Sequence, residues 1–205
     1  MSLAIICFVG CIRAPADVAT PTEAAVVVDV VAVHDRLELE ISSGRDTVAT
    51  REEAYRRVQG PDDGSAGYAY ARAAVTGRLA EVRGLRAVGL VKQVEAYALK
   101  SLERDETFRE GAARRLLGSL YALASSHVEH GDSEQGLELL EEQVRRYGHD
   151  ASNHLRLGEA YVALGDVESA NASLCAARRE RQQLDAGERR LLDEIVATES
   201  IACGP

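Results

Sequence analysis

Large aromatic and β-branched residues are scarce in much of this sequence of 205 residues. It has no Trp, only 2 Phe and only 4 Pro, and Val and Ile become sparse after position 100. β-Sandwiches and β-barrels depend on these residue types, so the composition argues against both folds. Apolar residues make up 46% of the chain and charged residues 28%, which predicts a soluble, core-forming and mostly helical protein.

The sequence also lacks a surplus of basic charge. Its 33 Asp and Glu residues outnumber its 24 Lys and Arg residues, which gives a net charge of −9. Proteins that bind nucleic acid use basic groups to displace the counterions of the phosphates, so we expect no nucleic-acid partner. No apolar run comes near the roughly 20 residues that a membrane-spanning helix requires.

The first residues resemble the signal segment of a bacterial lipoprotein. Residues 3–10 are apolar and end in Gly10, next to Cys11, as in a lipobox whose cysteine is acylated and becomes the mature N-terminus. We predict residues 1–11 as this segment, with lipidation at Cys11 and a location in the bacterial cell envelope facing the periplasm. Residues 12–43 are predicted as a tether with a poorly defined continuation. The alternative is a buried N-terminal strand with incidental cysteines.

Two other cysteines would remain in such a mature chain, Cys175 and Cys203. A disulfide between them would suit an oxidising compartment, but two cysteines carry no pairing pattern of their own. The other interpretation is that Cys175 is a small buried hydrophobic residue and Cys203 a tail residue.

Capping and stop signals divide the chain into helices, and we assign residues 44–205 to one helical domain. Residues 50–53 (TREE) have the pattern of a capping box, and Gly60-Pro61 would end the helix that follows it. A long Ala-rich helix is predicted from Tyr68. The Val-rich residues 24–33 are interpreted as helical rather than as a strand. Later helix boundaries are predicted at Gly84, Asp132 and Asp185.

Two copies of a helical hairpin follow one another at a period near 34 residues. The second copy carries Leu157-Gly158, Tyr161, Gly165, Ala170, Leu174 and Ala177 at the spacing of the tetratricopeptide pattern. The first copy carries Leu117-Gly118, Tyr121, Gly131, Gly136, Leu140 and Gln143, with an insertion within residues 125–131. Small residues allow the two helices of a hairpin to approach closely. We therefore predict an all-α fold of antiparallel helical hairpins, stacked as a short tetratricopeptide-like α-solenoid with a C-terminal capping helix.

Five segments add a family resemblance to this repeat pattern. In chain order they are residues 68–74 (YAYARAA), 102–105 (LERD), 111–121, 131–132 (GD) and 153–155 (NHL). Their layout resembles that of the TRAP-transporter T-component family of periplasmic lipoproteins, over residues 50–200. The resemblance implies an all-helical bundle of repeats, a lipid anchor in the membrane, a tendency to form homo-oligomers, and a periplasmic solute-binding protein as partner.

Stacked hairpins expose a concave groove lined by their first helices, which suits an extended peptide or the surface of a partner protein. By position in the repeats, Arg114, Asn153, His154 and Arg156 are expected to line this groove. We therefore predict a non-catalytic, membrane-tethered adaptor for protein–protein interaction. Association with a TRAP-type solute transporter is what the family resemblance implies.

A periplasmic carrier of a small apolar ligand is the alternative function. In this interpretation Gly77, Gly84 and Gly89 would leave space for the ligand between helices. Close packing of helices at these glycines is the competing interpretation.

No pattern points to catalysis, so we expect neither an enzyme nor a cofactor. The sequence has no phosphate-binding loop, nucleophile elbow or Cys-x-x-Cys motif. His127 and His130, with Glu129 and Asp132 nearby, are conceivable metal ligands, but a closed site needs fixed third and fourth ligands. We interpret this segment as a solvated loop and predict no metal site.

Overall fold

The computed structural model describes residues 28–204, apart from the side chains of residues 85 and 86, and this range is all-helical. Within it the helices are α1 (Val30–Ser42), α2 (Val48–Arg57), α3 (Ala66–Arg83), α4 (Val88–Arg104), α5 (Ala112–Ala124), α6 (Ser133–Arg146), α7 (Ala151–Ala163), α8 (Val167–Arg179) and α9 (Ala186–Thr198). The predicted all-α fold is confirmed, as is a helix at the end of the Val-rich segment. Cys11, residues 1–11 and most of the predicted tether lie outside the described residues.

Each of the last four helices begins at an aspartate whose carboxylate accepts a hydrogen bond from a backbone amide of the first turn. Asp132 accepts from Gln135 at 2.9 Å, Asp166 from Ser169 at 3.0 Å and Asp185 from Glu188 at 2.8 Å. Such caps satisfy amides that have no partner within the helix. The starts predicted at Asp132 and Asp185 are therefore confirmed, and α7 begins in the same way after Asp150.

The start of α2 differs from the prediction. Thr47 is its N-cap: the Thr50 amide donates to the Thr47 hydroxyl at 3.1 Å, and the Thr47 amide donates to the Thr50 hydroxyl at 2.8 Å. Thr50 thus closes a reciprocal cap instead of opening one, and α2 starts almost one turn earlier than residues 50–53 indicated.

Helices α3–α4, α5–α6 and α7–α8 pack as three successive antiparallel hairpins. The same close contact recurs in the second and third of them. A Cβ atom placed on Gly118 would lie 2.7 Å from Cγ of Leu140, and one placed on Gly158 would lie 2.6 Å from Cγ of Leu174. Glycine at both positions therefore allows the leucine of the second helix to lie against the backbone of the first.

The connections of the two repeat copies differ, as the predicted insertion required. Helices α7 and α8 are joined by a short turn in which Gly165 has a φ of +84°, a conformation that glycine adopts without strain. Helices α5 and α6 are joined by a longer loop that begins with the 3₁₀ turn Ser125–His127. Two amides of this loop, those of Glu129 and His130, each donate to the buried carboxylate of Glu95 on α4 at 2.8 Å.

Additional helices cover both ends of the hairpin stack. Val33 and Leu37 of α1 share a core with Tyr68 and Val75 of α3, so the helical core begins inside the segment 12–43 that the sequence analysis assigned to the tether and its continuation. Helix α9 packs on α7 and α8 as the predicted cap. No helix among residues 28–204 has the length and hydropathy needed to cross a membrane.

A disulfide joins the second repeat copy to the C-terminal tail. Cys175 of α8 and Cys203 are bonded, with their Cα atoms 5.4 Å apart. Both residues pack against the core formed by Leu174, Leu192 and neighbouring residues of α7, α8 and α9. Of the two interpretations of these cysteines, the paired one is correct.

Candidate functional site

A groove of about 510 Å³ lies across the odd-numbered helices. Every one of α1, α3, α5, α7 and α9 contributes side chains to its lining, as does α4. Helices α1 and α9 approach each other to within 8 Å between Cα atoms, so the first and last helices of the described chain are neighbours. The groove is consequently a bounded recess rather than an open channel along the stack.

One side of the groove is apolar. Leu116, Leu120 and Leu123 stand four and three residues apart on α5, a spacing that places them on one face of the helix. Val91 and Val94 of α4 continue this surface. We call these five residues the apolar wall. Leu123 is 48% exposed, so the wall presents apolar surface that no described residue covers.

Small residues of α3 form the floor beside the apolar wall. Ala74, Gly77 and Ala80 line the groove at the spacing of a single helix face. A Cβ atom on Gly77 would lie 3.8 Å from Cγ2 of Val94, an ordinary van der Waals distance. Glycine is therefore not required there by close helix packing, and the absence of a side chain enlarges the groove.

The first charged side of the groove is built by α1 and α3. Arg78 donates from Nη2 to Glu38 at 2.8 Å and from Nη1 to Glu81 at 2.9 Å. Burial lowers the pKa of Arg78, but the hydrogen bonds and charges of Glu38 and Glu81 outweigh it and raise that pKa above its usual value. Glu81 also accepts from Arg51 of α2 at 2.8 Å. These contacts fix α1 against α3.

The second charged side is built by α7 and α9 and consists of Glu159, Arg156 and Glu188, here named the α7–α9 cluster. Arg156 donates to Glu159 at 2.9 Å, and its other terminal nitrogen lies 3.9 Å from Glu188. Glu188 also accepts from the Ser152 hydroxyl at 3.1 Å and from the Asp185 amide at 3.2 Å. Only 17–24% of each cluster side chain is exposed, and the hydrogen bonds hold Glu188 in place.

Two of the four residues predicted to line a groove are buried and do not line it. The Arg114 side chain is only 6% exposed and pairs with Glu106 at 2.7 Å. Asn153 is fully buried, accepts from Arg115 at 2.8 Å and donates to the Tyr147 carbonyl at 2.8 Å. Asn153 faces Arg115 of the preceding hairpin, and Arg114 faces Glu106 in the connection before α5. Their expected role as contact residues is thus corrected to a structural one.

Of the other two predicted residues, only Arg156 lines the groove. The His154 ring nitrogen Nε2 donates to the Gly148 carbonyl at 2.9 Å, which fixes the turn before α7, and His154 is not in the groove lining. The structure therefore does not bring the four predicted residues together on one surface.

Several groove residues were not predicted from the sequence because charged residues on helices are typical of solvated helix faces. Arg115 is one of them, and it contacts Asp150 at 2.6 Å as well as Asn153. Glu159 and Glu188 are others. The position of a residue on the first helix of a hairpin was the signal used, and it does not show which face of that helix reaches the concave side.

The loop between α5 and α6 does not form a metal site in the structure. Glu129 pairs with Lys92 at 2.6 Å, and His130 lies 3.4 Å from Glu95. Among residues 28–204, no group of three or more His, Cys, Asp or Glu side chains is placed to hold a metal ion.

The remaining two glycines considered for a ligand space are Gly84 and Gly89. A Cβ atom placed on either of them would have no neighbouring atom within 4 Å. Neither glycine lines the groove. Close helix packing is therefore wrong as an interpretation of these two positions, and neither glycine contributes space to this groove.

No protein-family model matches this chain, and no curated protein matches it either.

Proposed function

We propose that this protein is a non-catalytic helical-repeat protein that holds a small, partly apolar ligand in its groove. The recess of about 510 Å³ carries this proposal, because ligand sites of small molecules commonly occupy roughly 300–1,000 Å³ and combine apolar walls with a few polar groups. The apolar wall and the α7–α9 cluster supply both kinds of surface. This function is the carrier that the sequence analysis held as its alternative.

Native mass spectrometry tests the carrier function directly. We expect protein purified under native conditions from its own cells to show an added mass, and to release one small molecule when it is denatured. The same sample after unfolding, dialysis and refolding is the control and should show the bare protein mass. A bare mass before unfolding, from several preparations, would contradict the proposal.

A protein–protein adaptor is the second candidate function. The observation in its favour is that the odd-numbered helices line the concave side, as in repeat proteins that bind a partner there. The approach of α1 to α9 leaves little room for a long extended peptide. Pull-down from solubilised envelope with Arg156→Ala and with Leu120→Trp tests this role, since unchanged partner recovery by both variants would remove the groove as the docking surface.

The envelope location and the TRAP association remain part of the proposal. The disulfide between Cys175 and Cys203 supports an oxidising compartment, because disulfides persist outside the reducing cytosol. The apolar segment before Cys11 supports a lipid anchor. Replacement of Cys11 by Ser should move the protein from the membrane fraction to the soluble fraction. A solute-binding protein co-purified with the wild type would support the transporter partnership that the family resemblance implies.

A further inference from the structure

The ionisable side chains that line the groove carry more negative than positive charge. The lining contains the carboxylates Glu38, Glu81, Glu159, Asp185 and Glu188, and the guanidinium groups of Arg78, Arg115 and Arg156. Just outside the lining, Asp150 pairs with Arg115 and Arg51 pairs with Glu81, so these two neighbours cancel and the excess within the lining stays negative. His34, also in the lining, lies 3.9 Å from Glu38 and adds positive charge only when it is protonated.

Part of this excess of negative charge lies in the α7–α9 cluster. It contains two carboxylates and one guanidinium, so it carries one net negative charge. Its side chains are mostly buried, and charges there interact more strongly than on an open surface because solvent screens them less. The 3.9 Å between Arg156 and Glu188 exceeds hydrogen-bond range, which leaves that Glu188 oxygen able to accept from a ligand.

For an anionic ligand, the lining offers no arginine that is free of a carboxylate partner. Every arginine in the lining already contacts at least one carboxylate: Arg78 contacts Glu38, Arg115 contacts Asp150 and Arg156 contacts Glu159. A ligand carboxylate would have to compete with these groups in a groove of net negative charge. Electrostatic complementarity therefore favours a cation.

We propose that the groove binds a small amphipathic amine, whose ammonium group donates to the Glu188 oxygen that Arg156 does not reach and whose apolar body lies on the apolar wall. This inference rests on the proposed ligand-binding function and adds the chemical class of the ligand. A charge-assisted hydrogen bond to the Glu188 carboxylate orients the head group. Burial of the tail against Leu116 and Leu120 supplies the remaining affinity.

A basic peptide segment would offer similar chemistry, but the groove favours the simple amine. A peptide carries backbone amides and carbonyls, and the apolar wall provides no partners for them. Burial of such groups without hydrogen bonds reduces affinity. A capped Leu-Lys-Leu tripeptide should consequently bind more weakly than an alkylamine with the same positive charge.

Isothermal titration calorimetry of the purified protein with matched probes tests the inference. Octylammonium and octanoate share a tail and differ in the sign of the head group. We expect octylammonium to bind roughly tenfold more tightly than octanoate, as one additional charge-assisted contact in a half-buried site would give. Butylammonium should bind more weakly than octylammonium because its tail covers less of the apolar wall.

A charge-neutralising variant shows whether the α7–α9 cluster is responsible. Glu159→Gln combined with Glu188→Gln leaves Arg156 as the charged member, so the preference should reverse in favour of octanoate. Glu138→Gln combined with Glu194→Gln makes the same change in net charge at positions outside the lining, and it should keep the preference for octylammonium. Circular dichroism confirms that both variants are folded.

The outcomes separate this inference from the function on which it rests. Equal affinity for the two probes, or tighter binding of octanoate by the unmodified chain, overturns the amine assignment and leaves the groove as a ligand site. Tighter binding of the tripeptide than of octylammonium overturns the choice of a simple amine. Absence of saturable binding of every probe contradicts both the inference and the ligand-binding function.

Discussion

Helices α5 and α7 occupy equivalent places in two successive hairpins, yet they present different chemistry to the groove. With Gly118 aligned to Gly158, Leu116 of α5 corresponds to Arg156 of α7, and Ser119 corresponds to Glu159. The glycines are the same because both hairpins need the same close approach to a leucine. Groove-facing positions have no such packing requirement. One repeat copy can therefore supply an apolar wall while the next supplies the charged cluster.

The two hairpins also differ in what holds them to the rest of the molecule. The hairpin α5–α6 is fixed at its loop by Glu95 of the preceding hairpin, through the amides of Glu129 and His130. The hairpin α7–α8 has a short turn but is covalently joined to the C-terminal tail through Cys175 and Cys203. Both hairpins thus have the same close contact between their two helices, but each is attached to the rest of the molecule by a different interaction.

Loss of the disulfide should have the largest effect on stability. Cys175→Ala combined with Cys203→Ala opens a loop with a sequence separation of 28 residues. We expect the free energy of unfolding to fall by about 3 kcal/mol, because the unfolded chain gains conformational freedom. Urea unfolding measures the change, and hydrogen exchange should show faster opening of α8 and α9 than of α5 and α6. Uniform acceleration in both hairpins would contradict the separate attachment of the second one.

Replacement of Gly136 by Ala sharpens the comparison between α6 and α8, since the equivalent residue of α8 is Ala170. A Cβ atom on Gly136 would lie 2.5 Å from the Ala122 backbone nitrogen, and backbone cannot move aside as a side chain can. We expect Gly136→Ala to lower the free energy of unfolding by about 2 kcal/mol through overpacking. The matched change Ala170→Gly should cost about 1 kcal/mol, from helix propensity. A neutral or stabilising effect of Gly136→Ala in thermal unfolding would contradict the close approach of α6 to α5.

Glu95→Gln tests the attachment of the first hairpin. We expect a loss of about 1 kcal/mol, because a neutral amide replaces a carboxylate that accepts two backbone hydrogen bonds. Burial raises the pKa of Glu95, but the amides of Glu129 and His130 and the Tyr121 hydroxyl outweigh it and lower that pKa below its usual value.

The pH dependence of this variant follows from the lowered pKa of Glu95. The carboxylate contributes stability above the usual glutamate pKa and loses it as pH falls through the lowered pKa of the folded state. Glu95→Gln should therefore lose less stability on acidification than the unmodified protein, as measured by urea unfolding at a series of pH values. An unchanged acid dependence would show that the loop is not held by this charge.

Asp35→Asn gives the smallest expected effect and lies outside both repeat copies. Asp35 of α1 accepts from Arg109 at 2.7 and 2.8 Å, and this pairing lowers the pKa of Asp35 from 3.8 to about 2. Its side chain is 50% exposed, so solvent screening limits the loss to below about 1 kcal/mol. Stability due to the pair is present above pH 3.8 and disappears as pH falls towards 2. Chemical unfolding of the variant should accordingly be less sensitive to pH in that window.

Packing that depends on backbone geometry could be predicted from the sequence. The spacing of Gly118, Gly158, Leu140 and Leu174 indicated two copies of one hairpin, and the structure places each glycine against its leucine. The caps at Asp132 and Asp185 were predictable for the same reason, since a helix start needs an acceptor at a fixed offset. The cap of α2 was misplaced because Thr47 and Thr50 both fit such an offset.

The groove was predicted less well, because its composition depends on which way each helix faces. Arg114 and Asn153 are polar and lie on first helices, but their side chains are buried. Their neighbours Arg115 and Arg156 reach the groove instead. Arg115 is one position after Arg114, a rotation of about 100° around the helix, whereas Arg156 lies almost one turn after Asn153. The apolar wall gives no separate signal in the sequence because Leu116 and Leu120 share the helical period of buried residues such as Leu117.

The most direct test of the ligand site compares the binding of a neutral apolar probe by the unmodified protein with its binding by a variant whose groove is filled by a larger side chain. N-phenyl-1-naphthylamine should show a saturable rise in fluorescence with the unmodified protein, and Leu120→Trp should abolish it by filling the recess. Leu164→Trp adds the same side chain at a position that is 41% exposed and outside the lining, and it should bind the probe as the unmodified protein does. Equal probe binding by both folded variants, or no saturable binding at all, would contradict the conclusion that this groove is the ligand site.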